Sequence, residues 1–334
     1  MPLPVRISLE FCKCDAYGGR RGDGVAVCVD LGLLVISFAN KLQVFALPDD
    51  IARATPRELA HVCTLGGVAP MEFQFGFCSG HMAFTDGGVS TANRRLLLVT
   101  DCRQDDLAAV HVIDVVRGAH VGYVAAPGTI IHPSDVATRE SLVAVSCWEG
   151  SDFHEFFKYK VRVFQGSEEC TWTAVRTIAV TAAGLRYTAD GLGLEVAQYC
   201  SSCMSIFYAK DGYFVRHSVL LTGQHPQHVD CVIDMDVEKW VDNGDGGSAW
   251  WVMCPSGGLV AVADDAYKTA VTAARKRKFD FHCTALATVP TLGLLVVRHE
   301  AGVQFFATPD AVAMASMSFC KVAWMAGVCR ATIM

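Results

Sequence analysis

The chain is poor in charge, in long apolar runs and in catalytic signatures. No stretch reaches the roughly 18 consecutive apolar residues a membrane helix requires, so no membrane span is expected. The opening MPLPVRISLEF has no charged segment followed by an apolar core, which argues against a secretory leader. Charged residues are only 19% of the 334, against 52% hydrophobic, and no Pro/Ser-rich linker or shift in composition divides the chain. One large domain packed on many faces is therefore expected rather than two. There is no Gly-x-Ser-x-Gly elbow to carry a nucleophile, and no Gly-rich phosphate loop followed by Lys and Ser/Thr. The net charge of −6 argues against nucleic acid, RNA included, as a general partner. Helical spacing is scarce, confined to a short stretch in Asp50–Leu59, interrupted by Pro56, and to Val271–Lys278.

Cysteine, by contrast, is abundant. Its count of 15 is odd, and Cys28, Cys147, Cys231 and Cys254 fall inside apolar runs. These read as small buried hydrophobes in a reducing compartment rather than as a disulfide scaffold, which a chain of this length does not need. Cys12-x-Cys14 and Cys200-x-x-Cys203 have no second pair and no His at finger spacing to complete a zinc site.

What the chain has most of is one repeated phrase. The middle strand of the phrase recurs as Leu33–Ser37, Leu96–Asp101, Leu142–Cys147, Leu194–Gln198, Ala249–Cys254 and Leu294–Arg298. A second apolar strand follows each, ending at positions 45, 113, 164, 207, 263 and 306. A shorter strand precedes each: Gly24–Asp30, Met82–Asp86, Asp135–Arg139, Gly184–Ala189, Asp230–Met235 and Ala285–Val289. A more amphipathic fourth strand follows in Leu59–Leu65, Ala119–Ala125, Ala174–Val180 and Phe214–Leu221. The runs are short, rich in Val, Leu, Ile and Phe, and bounded by Gly, Asp, Asn and Pro, which is strand patterning.

Most steps of the repeat are near the ~40–50 residues of a four-stranded propeller blade. A lone four-stranded sheet cannot hide two apolar faces, whereas radial stacking hides both and leaves only short edges. The expected fold is therefore all-β: a single six-bladed β-propeller of four-stranded antiparallel blades at about 24–67, 82–128, 135–180, 184–223, 230–276 and 285–328. Val5–Phe11, within residues 1–12, alternates like a strand and is the favoured closing strand of the last blade. The rival is the apolar C-terminal stretch Phe319–Val328.

Leu96-Leu-Leu-Val-Thr-Asp101 followed by Val110-His-Val-Ile113, and Leu142-Val-Ala-Val-Ser146 followed by Val161-Arg-Val-Phe164, resemble the NHL-repeat family of six-bladed propellers over about residues 24–310. That family's middle strand ends in Asp, kept here at Asp101 alone. The Gly-His and Trp-Asp marks of WD-type repeats are absent from the corresponding places, which disfavours that class. The resemblance implies a non-catalytic scaffold for a protein or peptide partner, without a cofactor. A monomer in the cytoplasm is expected, with nuclear import open through the basic cluster Arg275–Lys278.

Binding by such a scaffold is expected at the loops between the second and third strands, Phe38–Lys41, Arg103–Ala109, Trp148–Tyr159, Tyr199–Cys203 and His299–Gly302. The residues singled out there are Arg103, Trp148, Phe153, His154, Phe156, Phe157 and Tyr199, because an exposed aromatic loop is a sensible epitope. The alternative is a metal-dependent lyase or lactonase using zinc or calcium at the central channel. His132, His225 and His282 share one repeat position, and His81 and His228 another three residues on, all near first-strand starts. Neutral imidazoles converging there would bind a metal. They are displaced from the Pro-His pattern of the peptidyl-hydroxyglycine lyases, so that activity is not carried over. Asp135, Glu72 and Asp230 near strand starts are the generic counterpart of a lactonase's cation ligands.

Overall fold

The computed structural model describes residues 5–9, 24–38, 41–47, 59–66, 81–85, 94–101, 108–148, 159–167, 169–180, 182–187, 193–198, 203–208, 214–220, 249–253, 259–263, 283–289, 294–299, 302–307 and 331–333. Every regular element among them is a strand. None is a helix long and apolar enough to cross a membrane.

β1 (Val5–Leu9) comes first in the chain but joins the last sheet. The first sheet is β2 (Val25–Cys28), β3 (Leu33–Phe38), β4 (Lys41–Ala46) and β5 (His61–Leu65), paired in chain order. The second is β6 (Met82–Phe84), β7 (Leu97–Asp101), β8 (Ala109–Asp114) and β9 (Ala119–Ala125), and the third is β10 (Ile131–Arg139), β11 (Leu142–Trp148), β12 (Tyr159–Gly166) and β13 (Trp172–Ile178). The fourth is β14 (Ala182–Tyr187), β15 (Gly193–Gln198), β16 (Cys203–Tyr208) and β17 (Phe214–Leu220). β18 (Ala249–Met253) pairs with β19 (Leu259–Ala263). The last sheet runs β20 (Cys283–Val289), β21 (Leu294–His299), β22 (Gly302–Ala307), β1, and then β23 (Ala331–Ile333). Every pairing among the described strands is antiparallel, and β1 meets β22 with Val5 opposite Phe305 and Ser8 opposite Gly302.

The middle strands are apolar on both sides because both sides are covered. All five residues of β7 and all six of β8 are buried. Successive side chains of a strand point to opposite faces, so each strand serves two interfaces. Leu97, Val99 and Ile113 pack with Val35, Leu42 and Val44 of the first sheet. Leu98, Val110 and Val112 turn the other way, toward Val143, Val145 and Phe164 of the third. Ala144, Val161 and Val163 then meet Leu185, Leu194 and Val196 of the fourth. Full burial of such side chains is worth about 1.5–3 kcal/mol each. The fourth strands are outermost and wet: five consecutive residues of β13 are exposed, Val175 among them.

First strands pack on first strands. β2 touches β6, β6 touches β10, β10 touches β14, and β20 returns to touch β2. Four-stranded meanders set inner strand against inner strand are the arrangement of propeller blades.

Several boundaries differ from the sequence-based expectation. Trp148 and Tyr159 are not loop residues: Trp148 ends β11, Tyr159 begins β12, and they are paired with each other. Phe38 pairs with Lys41 and His299 with Gly302, so these hairpins turn through two residues. β10 begins at Ile131, before the expected Asp135, because a register shift between Ile131 and Asp135 lets pairing continue across Pro133. β13 ends at Ile178 rather than Val180. Arg103, Phe153, His154, Phe156, Phe157, Tyr199, His225, His228 and His282 lie outside the described residues. So do Arg275–Lys278, the expected strand Asp230–Met235, the expected helical stretch Val271–Lys278 and the rival closing segment Phe319–Val328.

Candidate functional site

Two polar clusters interrupt the apolar interior. The first lies where the first strands of the second, third and fourth sheets meet. His81 directly precedes β6, and its carbonyl accepts hydrogen bonds from the Thr100 backbone N–H at 3.0 Å and the Thr100 hydroxyl at 3.3 Å. Its Nδ1 lies 3.3 Å from Asp135 Oδ1, and both side chains are largely buried. Asp135 Oδ1 also accepts the Val136 N–H at 2.7 Å, and Oδ2 accepts the Leu185 N–H at 2.7 Å. One carboxylate therefore brackets three successive sheets. Next to it, the hydroxyls of Ser134 and Ser146 are 2.7 Å apart, and Thr138 Oγ1 donates to the Phe84 carbonyl at 2.8 Å.

This geometry bears on the channel-metal alternative. Both oxygens of Asp135 accept backbone N–H groups, so the carboxylate is engaged as a bracket between sheets. Of the five histidines singled out, His81 faces Asp135 and His132 lies within β10. Among the described residues, no three His, Cys, Asp or Glu side chains are grouped to hold a metal ion.

The second cluster lies within the second sheet. Asp101 ends β7 and is fully buried, and its Oδ2 is 3.2 Å from His111 Nε2 on β8. His111 Nδ1 is in turn 3.3 Å from His120 Nε2 on β9. Tyr123, also on β9, closes the group, its ring centroid 5.2 Å from that of His111 and 4.7 Å from that of His120. The chain of contacts runs from a buried carboxylate outward to a partly exposed imidazole and an exposed tyrosine edge. Burial, and after it the neighbouring His111, holds His120 below the usual imidazole range.

Sequence reading picked out Asp101 as a family-pattern residue but not His111, His120 or Tyr123. The available signal was parity: Asp101 and His111 are on the face shared with Leu97, Val99 and Ile113. The approach of His120 was not available, because it depends on register shifts in the β8–β9 ladder at Val110/His111 and Val112/Ile113.

Cys28, Cys63, Cys147 and Cys170 carry thiols rather than disulfides. Burial pushes the thiols of Cys28, Cys63 and Cys170 up, away from the reactive thiolate.

No family model and no curated protein matches the chain. Among solved structures it is similar to that described as the crystal structure of the Saccharomyces cerevisiae Sqt1, at 10% identity and a TM-score of 0.48, over 87% of this chain and 84% of that one. A likeness of this degree says nothing about function.

Proposed function

We propose that the chain is a six-bladed, NHL-like β-propeller, closed through its terminal strands, that serves as a non-catalytic platform for a protein or peptide partner. The reading is supported above all by the unequal connections between second and third strands, which range from the two residues 39–40 to the ten residues 149–158. A stitched ring of sheets carrying loops of unequal length on one rim suits recognition, since such loops vary without disturbing the core. The acid–base side chains described are meanwhile engaged with one another: Asp135 with His81, and Asp101 with His111.

The longest of these loops carries Phe153, His154, Phe156 and Phe157, with Trp148 and Tyr159 paired at its base. Exchanging residues 149–158 for Asn-Gly leaves a two-residue hairpin that the β11–β12 ladder accommodates. Peptides selected by phage display on the native chain are expected to lose binding to this variant while its far-ultraviolet circular dichroism is unchanged. Selected peptides that bind both forms equally, or a purified chain that carries stoichiometric zinc or calcium and opens a lactone, would refute the reading.

A further inference from the structure

The two histidines of the second sheet have the geometry of a metal clamp. Two Zn–N bonds of about 2.0–2.1 Å meeting at the tetrahedral angle hold their nitrogens about 3.3–3.4 Å apart. His111 Nδ1 and His120 Nε2 are 3.3 Å apart. On the other side of its ring, His111 presents Nε2 to Asp101 Oδ2 at 3.2 Å. This is the order of groups in a carboxylate–histidine–metal arrangement: the carboxylate accepts one ring N–H, fixes the tautomer, and aims the second nitrogen at the ion. The buried carboxylate of Asp101 is set in the β7–β8 ladder, so the direction of His111 is fixed from behind by backbone geometry.

We infer that His111 Nδ1 and His120 Nε2 bind a zinc-type divalent ion at the outer part of the second sheet, with Asp101 as the positioning residue and water in the remaining coordination places. His120 is only partly buried and Tyr123 beside it is 37% exposed, so an ion reaches the pair from the solvent side without opening the core. This site is separate from the repeat histidines at the first-strand starts, and it does not rest on the platform reading.

A hydrogen bond between the rings is the other arrangement with this spacing, and zinc chloride alone distinguishes the two. The full chain and its His120→Gln variant are titrated with zinc by calorimetry and by nitrogen NMR of histidine-labelled protein. The signals of His111 and His120 are expected to move together at the lowest zinc concentrations, and His120→Gln to weaken that binding at least about tenfold. Asp101→Asn is expected to weaken it about 10–100-fold, as removal of an orienting partner does. His120→Gln alters a partly exposed residue on an outer strand, and unchanged circular dichroism verifies its fold. Equal zinc affinity in the native chain and His120→Gln, or signals of His111 and His120 that zinc leaves in place, would overturn the inference and leave an inter-ring hydrogen bond only.

Discussion

The Asp135 bracket gives a prediction that separates charge from hydrogen-bond count. Asp135→Ala removes the acceptor of two buried N–H groups, Val136 at 2.7 Å and Leu185 at 2.7 Å, together with the partner of His81. A buried donor left unsatisfied costs about 1–3 kcal/mol, so two cost about 2–6 kcal/mol. Asp135→Asn keeps the shape, but one end of its side chain is an NH2 donor. Whichever way the amide turns, a donor faces a donor, either at Val136 N or at Leu185 N. The asparagine variant is therefore expected to lose at least about 2 kcal/mol, close to the alanine variant rather than to the native chain. Urea unfolding reports the loss, and amide hydrogen exchange locates it at Leu185 and Val136. Because Leu185 belongs to the next sheet, loss of protection there on a change in β10 is the specific signature. An asparagine variant within about 0.5 kcal/mol of the native chain, with both amides still protected, would refute the bracket.

The packing and the second cluster give further tests. Leu98 is fully buried between the second and third sheets, so Leu98→Ala is expected to cost about 2–5 kcal/mol, whereas Val175→Ala on the exposed face of β13 stays within about 0.5 kcal/mol by urea unfolding. Gly118 has a φ of +63°, and an added Cβ would stand 3.4 Å from Leu65 Cδ2, so Gly118→Ala is expected to lower the urea midpoint by the equivalent of about 1–2 kcal/mol. Burial, reinforced by His111, lowers the folded pKa of His120. Above the unfolded imidazole value of about 6.5, both folded and unfolded chains are neutral at this group. As pH falls below that value the unfolded chain takes up a proton that the folded chain resists, so this part of the stability is lost down to the folded pKa. His120→Gln is expected to flatten that part of the decline in the urea midpoint, and an equal decline in both proteins would count against it.

The strands were legible because burial on both faces writes itself as unbroken apolar runs. Leu96–Asp101 and Leu142–Cys147 could be assigned from composition alone, and β7 (Leu97–Asp101) and β11 (Leu142–Trp148) lie within a residue of those limits. The fourth strands were expected to be amphipathic, and β13 is wetter than that, with five consecutive residues exposed. Where paired strands outlast their apolar core, composition falls silent, which is why Trp148 and Tyr159 were read as loop yet sit opposite one another. The polar clusters were less legible still. Leu185 contributes to the Asp135 bracket only a backbone N–H, which no residue type announces. The ladder shift that sets His120 opposite Ile113 recurs at Val44/Phe45, Val163/Phe164 and Ile206/Phe207, but backbone shifts of this kind are not written in residue type.

The pairing of β1 with β22 sets a timetable. Val5 must find Phe305, so on the ribosome β1 emerges some 300 positions before its neighbour exists. At about 5–20 residues per second, that interval is on the order of 15–60 s. Throughout it β1 has no β22 edge to cover, so the last sheet is completed only after residues 302–307 have been made.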